Sequence, residues 1–450
     1  MNYELSMTTL KKIQEYLFYL FLFLLPWQTR WIVRDAQISG GVFEYGRISI
    51  YSFDLIFLIL LFFFLFEKFF SNQKSEIGNQ GFKIRFPVFC FLISVFLILN
   101  IFISSDKLLS AYWWLRIAEG LLLLWLIKKI NFSQTKAALA FIFSMTISAG
   151  LGIYQFLAQN VFASKWLGMA SQNPKDLGVS VMETLNTRIV RAYGNLPHPN
   201  IFAGFLVLAI VLCFFLIIKY KKTRTQEYKK NNFTLLFYYF ITLLLVAGLF
   251  FTFSRAAWLV LAIFFITLLL YYFITKKSRH LLLITYYLLP IILVVGCLTI
   301  IYRPLIQIRT SASNRLEIKS NTERLAGYSE AWQIIKKNPL TGVGLENYTI
   351  ALQKNIPGQP AWFYQPVHNV FVLALSELGV PVFLFVIALL LYYFITHRHK
   401  FLFFTFHFSF FVIIILALFD HFFWTLPSGM LLIFVIAGLG LQPPKAVDNL

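Results

Sequence analysis

A histidine and an asparagine open a long apolar segment, residues 367 to 391, with the sequence VHNVFVLALSELGVPVFLFVIALLL. The apolar part is long enough to cross a bilayer as a helix, so His368 is predicted where the helix meets water. A histidine at a helix N-terminus faces the positive end of the helix dipole, which disfavours the imidazolium and keeps the ring available as a base. His368 is therefore the candidate general base, with Asn369 as a supporting residue.

Three arginines from separate parts of the sequence are the candidate anion ligands. Arg255 lies in FTFSRAAW, between two apolar segments and with no acidic neighbour, so it needs either an anionic ligand or lipid headgroups. Arg324 stands in the first turn of a predicted helix, although a plain surface position is the alternative, and Arg191 precedes another apolar segment. Guanidinium groups bind phosphate oxygens in pairs and stay charged in a low dielectric. A phosphate ligand beside a neutral base fits a transfer reaction with a phosphorylated leaving group.

Three further residues are supporting candidates. The stretch RAYGNLPHPNIFAGF places His198 just before a predicted span, where it acts either as a cap or interface residue or in catalysis. Asn200 is expected to orient its neighbours. Glu377 lies nine residues past His368, about 13 Å along a helix, so we expect it to pair with another buried polar group rather than with the histidine.

The elements that position these residues are membrane spans. The 450 residues are 59% hydrophobic and 13% charged, which a soluble core could not absorb. Apolar runs long enough for the hydrocarbon layer recur along the chain and predict an all-α membrane protein, a single polytopic domain over residues 1–450. We predict twelve spans, the first a retained anchor, near 13–27, 48–66, 86–103, 108–127, 137–158, 199–218, 233–253, 256–275, 281–301, 368–396, 401–419 and 425–441.

The basic residues predict the orientation of the spans. With both termini in the cytoplasm, the cytoplasmic loops hold more than half of the Lys and Arg residues, as the positive-inside rule requires. The net charge of +20 then reflects topology and anionic membrane lipid, so a nucleic-acid partner is not expected. The three long segments 28–47, 159–198 and 302–367 fall on the opposite, extracytoplasmic face.

The segment 302–367 is the largest extracytoplasmic loop and carries eight basic residues against four acidic ones. Its surplus of cations indicates an anionic ligand, with solvated surface charge as the alternative. Within it, Ser320 and Glu323 form a capping box, and an apolar stripe follows that predicts an amphipathic helix lying on the membrane or on the bundle, made of Leu325, Tyr328, Trp332 and Ile335. Asn338-Pro339 ends this helix.

Other chemistries lack their motifs. The three cysteines, Cys90, Cys213 and Cys297, each fall inside a predicted span, so no disulfide framework or metal cluster is implied. The chain has no P-loop, GxGxxG or Cys-x-x-Cys motif, which removes nucleotide-driven transport and dinucleotide chemistry. No carboxylate pair stands beside the arginines, so we expect neither a metal nor a cofactor.

Four stretches resemble, in order and spacing, the O-antigen ligase and polymerase superfamily: RAYGNLPHPNIFAGF, FTFSRAAW, ERLAGYSEAWQIIKKNPLTGVGLENY and HNVFVLALSELG. The resemblance covers residues 185–400 and implies a metal-independent glycosyltransferase with a GT-C-like fold in the bacterial inner membrane. Such an enzyme takes a glycan from undecaprenyl pyrophosphate and passes it, with inversion, to an acceptor hydroxyl outside the cytoplasm. By matching position, Arg255 and Arg324, and less directly Arg191, would hold the pyrophosphate, and His368 would activate the acceptor.

The acceptor stays open at this point. The resemblance allows a ligase acting on lipid A core, a polymerase acting on another lipid-linked glycan, or transfer to a protein hydroxyl. A flippase or transporter for the same lipid-linked glycan is the alternative of another class, since it also needs arginines and many spans. It would not need a histidine at the end of the bundle or a large one-sided loop.

Overall fold

The computed structural model describes residues 2–71, 96–176, 178–184, 187–224, 232–276, 278–311, 314–401 and 405–441. The chain is mostly helical, as predicted. Its α-helices are Asn2–Leu24, Ser52–Ser71, Lys107–Lys129, Gln134–Ala158, Pro199–Arg224, Asn232–Phe251, Arg255–Ile274, Ser278–Ile301, Arg303–Thr310, Arg315–Lys337, Tyr348–Asn355, Val370–Phe401, Thr405–Ala417, Phe422–Thr425 and Pro427–Leu441.

Three small antiparallel sheets accompany the helices, and the sequence did not predict them. Arg30–Arg34 pairs with Ile48–Tyr51, Gln37–Ile38 with Gly41–Val42, and Val181–Glu183 with Arg188–Val190. All of them lie in the long connecting segments, where the backbone has no helical partners and pairs across hairpins instead. Two short 3-10 helices, Glu44–Gly46 and Ala361–Phe363, complete the elements.

Seven of the described helices are long and apolar enough to cross a membrane, which makes this a membrane protein. They are Lys107–Lys129, Gln134–Ala158, Pro199–Lys219, Phe233–Phe251, Arg255–Ile274, Ile284–Ile301 and Val370–Tyr392. Phe408–Ala417 and Pro427–Leu441 are apolar but shorter. The predicted span 86–103 lies largely outside the described residues, so the count of twelve stays a prediction.

The Pro199–Arg224 helix forms the centre of the bundle. Its side chains from Phe202 to Phe214 are buried almost without interruption, because the sequence there is apolar on all faces. The surrounding helices bury only one side and expose apolar side chains on the other, as lipid-facing helices do. The main hydrophobic core therefore runs along this central helix.

Hydrogen bonds join the three long connecting segments at one end of the bundle. Tyr45 donates to Gln365 at 2.8 Å, and Arg315 contacts Glu183 at 3.0 Å, so both smaller segments touch the largest one. Gln28 donates to Ser428 at 3.0 Å and ties this layer to the last helix. The helix ends that carry the candidate residues meet in this layer.

We call Arg315–Lys337 the loop helix, and it differs from the prediction in two respects. It begins earlier than the proposed capping box, because the Asn314 side chain caps it by accepting a hydrogen bond from the Leu316 N–H at 3.1 Å. The predicted apolar stripe is also divided. Ile335 is buried, whereas Leu325 and Trp332 are 72% and 55% exposed, because the packed face is turned toward Ala331 and Ile334.

We call Val370–Phe401 the histidine helix, and it is broken at Gly379, whose φ is +75°. The break frees main-chain carbonyls of Ser376 and Glu377, which accept hydrogen bonds from Val343 and Gly344 at 3.1 Å each. A side chain at Gly379 would clash with the Leu340 carbonyl. The turn after the loop helix is thereby fixed to the histidine helix backbone to backbone.

Candidate active site

His368 lies directly before the histidine helix, as its position in the sequence predicts. Asn369 is the N-cap, and its side-chain oxygen accepts hydrogen bonds from the N–H groups of Phe371 at 2.9 Å and Val372 at 3.2 Å. This cap fixes the backbone next to His368 and gives Asn369 a positioning role. The His368 side chain is 35% exposed, so solvent reaches part of the ring.

Asp420 and His421 approach His368 from the turn between Thr405–Ala417 and Phe422–Thr425. Asp420 Oδ1 lies 3.8 Å from His368 Nδ1, and the ring centroids of His368 and His421 are 5.2 Å apart. The Asp420 carboxylate also accepts a hydrogen bond from the His421 N–H at 2.8 Å. We call His368, Asp420 and His421 the histidine cluster.

The two buried members of the histidine cluster have shifted pKa values. Burial lowers the pKa of His421 to about 4, so its ring is neutral at pH 7. Burial alone would raise the pKa of the Asp420 carboxyl, but the proximity of His368 and His421 holds it below its usual range. Asp420 is therefore a carboxylate aimed at the buried Nδ1 of His368, which has no hydrogen-bond partner among the described residues.

The arginines meet in a second group, next to the histidine cluster. Arg255 Nη2 lies 2.9 Å from Glu317 Oε2, and Arg309 contacts the other oxygen of the same carboxylate. Arg309 is held by a hydrogen bond of 2.9 Å from its Nε to the Phe253 carbonyl, in the turn before Arg255. The expectation that Arg255 has no acidic neighbour is therefore wrong, because the loop helix folds back and supplies Glu317.

Arg191 is buried, and its three hydrogen bonds go to uncharged oxygens. It donates to the Thr252 carbonyl at 2.6 Å, to Ser180 Oγ at 2.8 Å and to Asn200 Oδ1 at 2.7 Å. Burial, and then the charge of Arg309, lower its pKa to about 9. Asn200 thus orients Arg191, and Arg191 contributes its positive charge to the site from a buried position.

Arg324 projects from the loop helix, half-buried, and makes no ion pair with a carboxylate among the described residues. Its charge lowers the pKa of Arg191, Arg309 and His421, so it lies close to both groups of residues. We call Arg191, Arg255, Arg309 and Arg324 the arginine cluster. Glu317 is the one carboxylate within ion-pair distance of its members in the described part of the chain.

His198 caps the central helix, which was one of its two predicted roles. Its Nδ1 accepts a hydrogen bond from the Asn200 N–H at 3.1 Å, so the proton of the neutral ring is assigned to Nε2. Burial, and then the charge of Arg191, lower its pKa to about 3. His198 is close enough to the histidine cluster for their charges to affect its titration, but it has a structural task of its own.

Glu377 pairs with buried polar groups, as predicted, and not with His368. Its Oε2 accepts a hydrogen bond from Trp424 Nε1 at 2.7 Å. The buried Glu346 lies beside it, and burial together with the charge of Glu377 raises the pKa of Glu346 well above its usual range. This carboxyl pair supports the histidine helix beneath the site.

The possible ligand atoms of the histidine cluster lie within 4.8 Å of one another. Two imidazoles and one carboxylate are a donor set that zinc or iron accepts. The expectation that no metal is needed therefore stays a prediction.

Four residues of this site were missed in the sequence. Arg309 and Glu317 stand in the loop 302–367 among several other charges and carry no motif. Asp420 and His421 did have a signal, since an Asp-His dipeptide interrupts the apolar run LALFDHFFW at the predicted extracytoplasmic end of two spans.

Residues 240–387 match the model of a protein family described as O-Antigen ligase. The match contains Arg255, Arg309, Arg324 and His368, and lies inside the predicted region 185–400. It confirms the resemblance to the O-antigen ligase superfamily over this part of the chain. No curated protein matches the chain.

Proposed function

We propose that this chain is a glycosyltransferase of the O-antigen ligase superfamily that moves a glycan from undecaprenyl pyrophosphate to an acceptor hydroxyl, with inversion. The observation that carries the proposal is the arginine cluster itself. It holds four guanidinium groups, and in the described part of the chain one carboxylate, Glu317, pairs with two of them, Arg255 and Arg309. The cluster lies beside a histidine with an aspartate behind it. Such an excess of positive charge favours a ligand with two linked phosphates.

The arginine cluster would bind the donor and stabilise its departure. Arg255 and Arg324 offer planar guanidinium groups to the phosphate oxygens, and Arg191 adds charge from its buried position. As the bond between the anomeric carbon and the phosphate oxygen breaks, negative charge grows on the pyrophosphate. Fixed positive groups then stabilise the transition state more than the ground state, which accelerates the reaction.

His368 would act as the general base. Asp420, 3.8 Å from Nδ1 in this structure, would orient the ring and leave Nε2 to take the proton of the acceptor hydroxyl. Such contacts are often long before substrate binds. The acceptor oxygen forms the new bond to the anomeric carbon, the proton moves to His368, and undecaprenyl pyrophosphate leaves on the opposite face.

The site would lie outside the cytoplasm, in the inner membrane of a bacterium with both termini in the cytoplasm. The distribution of Lys and Arg supports this orientation, and the layer that holds the site is formed by the three segments predicted on that face. The donor brings its own activated leaving group, so no nucleotide is needed there. The proposed mechanism uses no metal.

The acceptor would be lipid A core or another surface glycan. A polymerase of the same superfamily, whose acceptor is a second lipid-linked glycan, is the alternative, because it shares the donor half of the site. Deleting the gene separates the two. A ligase mutant loses all polymer from its surface anchor, whereas a polymerase mutant retains anchored single repeat units.

The chemical test uses purified protein, lipid-linked oligosaccharide and an acceptor glycolipid. We expect His368→Ala to abolish transfer while donor binding persists, since the base acts only in the chemical step. His280→Ala, in the first turn of the Ser278–Ile301 helix at the other end of the bundle, is the matched control and should transfer at the wild-type rate. Full transfer by His368→Ala would remove the histidine from the mechanism, whereas donor binding without transfer by the wild-type protein would favour a flippase.

A further inference from the structure

The arginine cluster already contains an anion, Glu317, whose side chain is 6% exposed. One carboxylate oxygen contacts Arg309, and the other lies 2.9 Å from Arg255 Nη2. Carboxylate and phosphate oxygens bind guanidinium groups with the same geometry. Glu317 therefore stands where a phosphate held by Arg255 and Arg309 would stand.

The contact with Arg255 is loose. Although Glu317 Oε2 is within ion-pair distance of Arg255, no described residue gives it a hydrogen bond of good alignment. The Arg255 side chain is 42% exposed and also reaches Asn321 Oδ1 at 3.4 Å. A ligand arriving from solvent can compete for this guanidinium at little cost.

One carboxylate does not balance the arginine cluster. Burial lowers the pKa of Arg309, and the charges of Arg255 and Arg324 lower it further in spite of Glu317. The pKa of Arg191 is lowered in the same way by burial and by Arg309. The electrostatic free energy of the cluster therefore falls when an anion with more charge than one carboxylate enters.

Glu317 has a second position within reach. It is the third residue of the loop helix, whose N-cap is Asn314. A glutamate at this position can turn back to the backbone N–H of the N-cap residue, as in a capping box, where the helix dipole favours its charge. Leaving the arginines therefore does not require the carboxylate to lose all its partners.

We propose that Glu317 is a built-in counter-ion that the pyrophosphate of the donor displaces from Arg255 and Arg309, so that Arg309 binds phosphate and Glu317 sets the affinity of the site. This inference rests on the proposed function. Without donor, Glu317 neutralises the arginines and keeps the cluster assembled. After transfer, its return competes with undecaprenyl pyrophosphate and promotes product release.

The test measures binding of inorganic pyrophosphate by calorimetry, with the full chain in phosphatidylcholine nanodiscs. Glu317→Gln keeps the shape of the side chain and removes its charge, so we expect the Kd for pyrophosphate to fall about tenfold. The matched control is Glu323→Gln on the same helix, because Glu323 is exposed and pairs only loosely with Lys319, at 3.6 Å. We expect less than about a twofold change in the control. Arg309→Gln should raise the Kd about tenfold.

Unchanged or weaker binding by Glu317→Gln would overturn the inference and leave Glu317 as a structural residue. If that variant does not fold, Glu317→Asp replaces it, since the shorter carboxylate withdraws from the arginines; binding no tighter than wild type then has the same meaning. Arg324→Ala separates the two proposals. Weaker binding by Arg324→Ala without tighter binding by Glu317→Gln rejects only the counter-ion, whereas no pyrophosphate binding by any form rejects the donor site as well.

A final arm separates donor from membrane lipid. In nanodiscs that contain phosphatidylglycerol, pyrophosphate should still bind, because a diphosphate offers more charge than one lipid phosphate. Complete loss of binding there would assign the arginine cluster to lipid headgroups and overturn the inference.

Discussion

Arg116 and the arginine cluster differ in how the positive charges of their guanidinium groups are balanced. Arg116, in the Lys107–Lys129 helix, contacts both oxygens of Asp54 at 2.7 Å and Glu119 at 2.7 Å, and it also donates to Tyr112 and to the Ser49 carbonyl. Two carboxylates serve one guanidinium there. The arginine cluster has four guanidinium groups, and in the described part of the chain Glu317 alone pairs with them, through Arg255 and Arg309.

The difference separates a structural ion network from a binding site. Arg116 has its partners in place and fastens the start of the Ser52–Ser71 helix to its neighbour. The charge of the arginine cluster is not balanced until an anion with more charge than Glu317 arrives, which is the usual mark of a site that has a task other than stability. Removing an arginine should therefore damage folding in the first case and binding in the second.

The largest effect is expected at Arg116. Arg116→Met leaves Asp54 and Glu119 buried without their cation, which costs about 3–5 kcal/mol of folding free energy. We expect a much lower thermal unfolding midpoint and poor recovery of folded protein in size-exclusion chromatography. Arg315→Met, which breaks an exposed pair with Glu183, is the control and should change neither. An unchanged unfolding midpoint for Arg116→Met would mean that Arg116 does not stabilise the fold, and would contradict the distinction between a structural ion network and a binding site.

Arg324→Ala should have the opposite effect to Arg116→Met, lowering activity and leaving stability unchanged. Because Arg324 has no carboxylate partner among the described residues, we expect unfolding to be unchanged while glycan transfer falls about 10²-fold. Arg324→Lys keeps the charge but loses the planar guanidinium group, so its transfer rate should lie between those of the wild type and Arg324→Ala. Arg315→Ala on the same helix is the rate control. A destabilised Arg324→Ala with normal transfer would make Arg324 a structural residue like Arg116.

The lowered pKa values of His421 and His198 predict a pH dependence of stability. His421 has a pKa lowered to about 4, so it stays neutral in the folded chain while the unfolded chain binds a proton below about pH 6.5. Stability therefore falls as pH drops from about 6.5 toward 4, by about 2 kcal/mol at pH 5 for this one residue. The unfolding midpoint of His421→Gln should fall less between pH 7 and pH 5 than that of the wild type. His198 adds a dependence of the same sign, so part of the slope should remain. If the unfolding midpoints of the wild type and of His421→Gln depend equally on pH, the lowered pKa of His421 is wrong.

The smallest effect is expected from chelation. If the histidine cluster works as a base with its aspartate, transfer should be unchanged after treatment with EDTA, and metal analysis should find less than one ion per chain. Activity lost to EDTA and restored by zinc would turn the cluster into a metal centre with His368 as a ligand. The arginine cluster would then still be an anion site, but the histidine cluster would be a cation site and not a general base.

The sequence predicts the bundle better than the layer at its end. Long apolar runs must form helices in lipid, so spans such as 199–218 and 256–275 agree closely with Pro199–Arg224 and Arg255–Ile274. Polar residues at their ends must face water or a partner, which is why Arg255 and His368 could be singled out. The three small sheets were missed because strand signals such as RWIVR are short and lie in loops.

Partners contributed by distant segments could not be predicted. Glu317 reaches Arg255 only because the loop helix folds back over the turn between two spans, and no local pattern encodes that path. The exposure of Trp332 has the same origin, since the stripe was read from spacing while tertiary packing selected the adjacent face. Asp420 is different, because its position between two apolar runs is a local signal in the sequence.

The break at Gly379 has a consequence for how substrates reach the reacting atoms. Main chain rests on main chain where the turn after the loop helix meets the histidine helix, with Gly342 and Gly379 leaving no room for side chains between them. Such a backbone-to-backbone contact cannot adjust through changes of side-chain rotamer. The position of His368 is therefore fixed, and the acceptor sugar has to move to it.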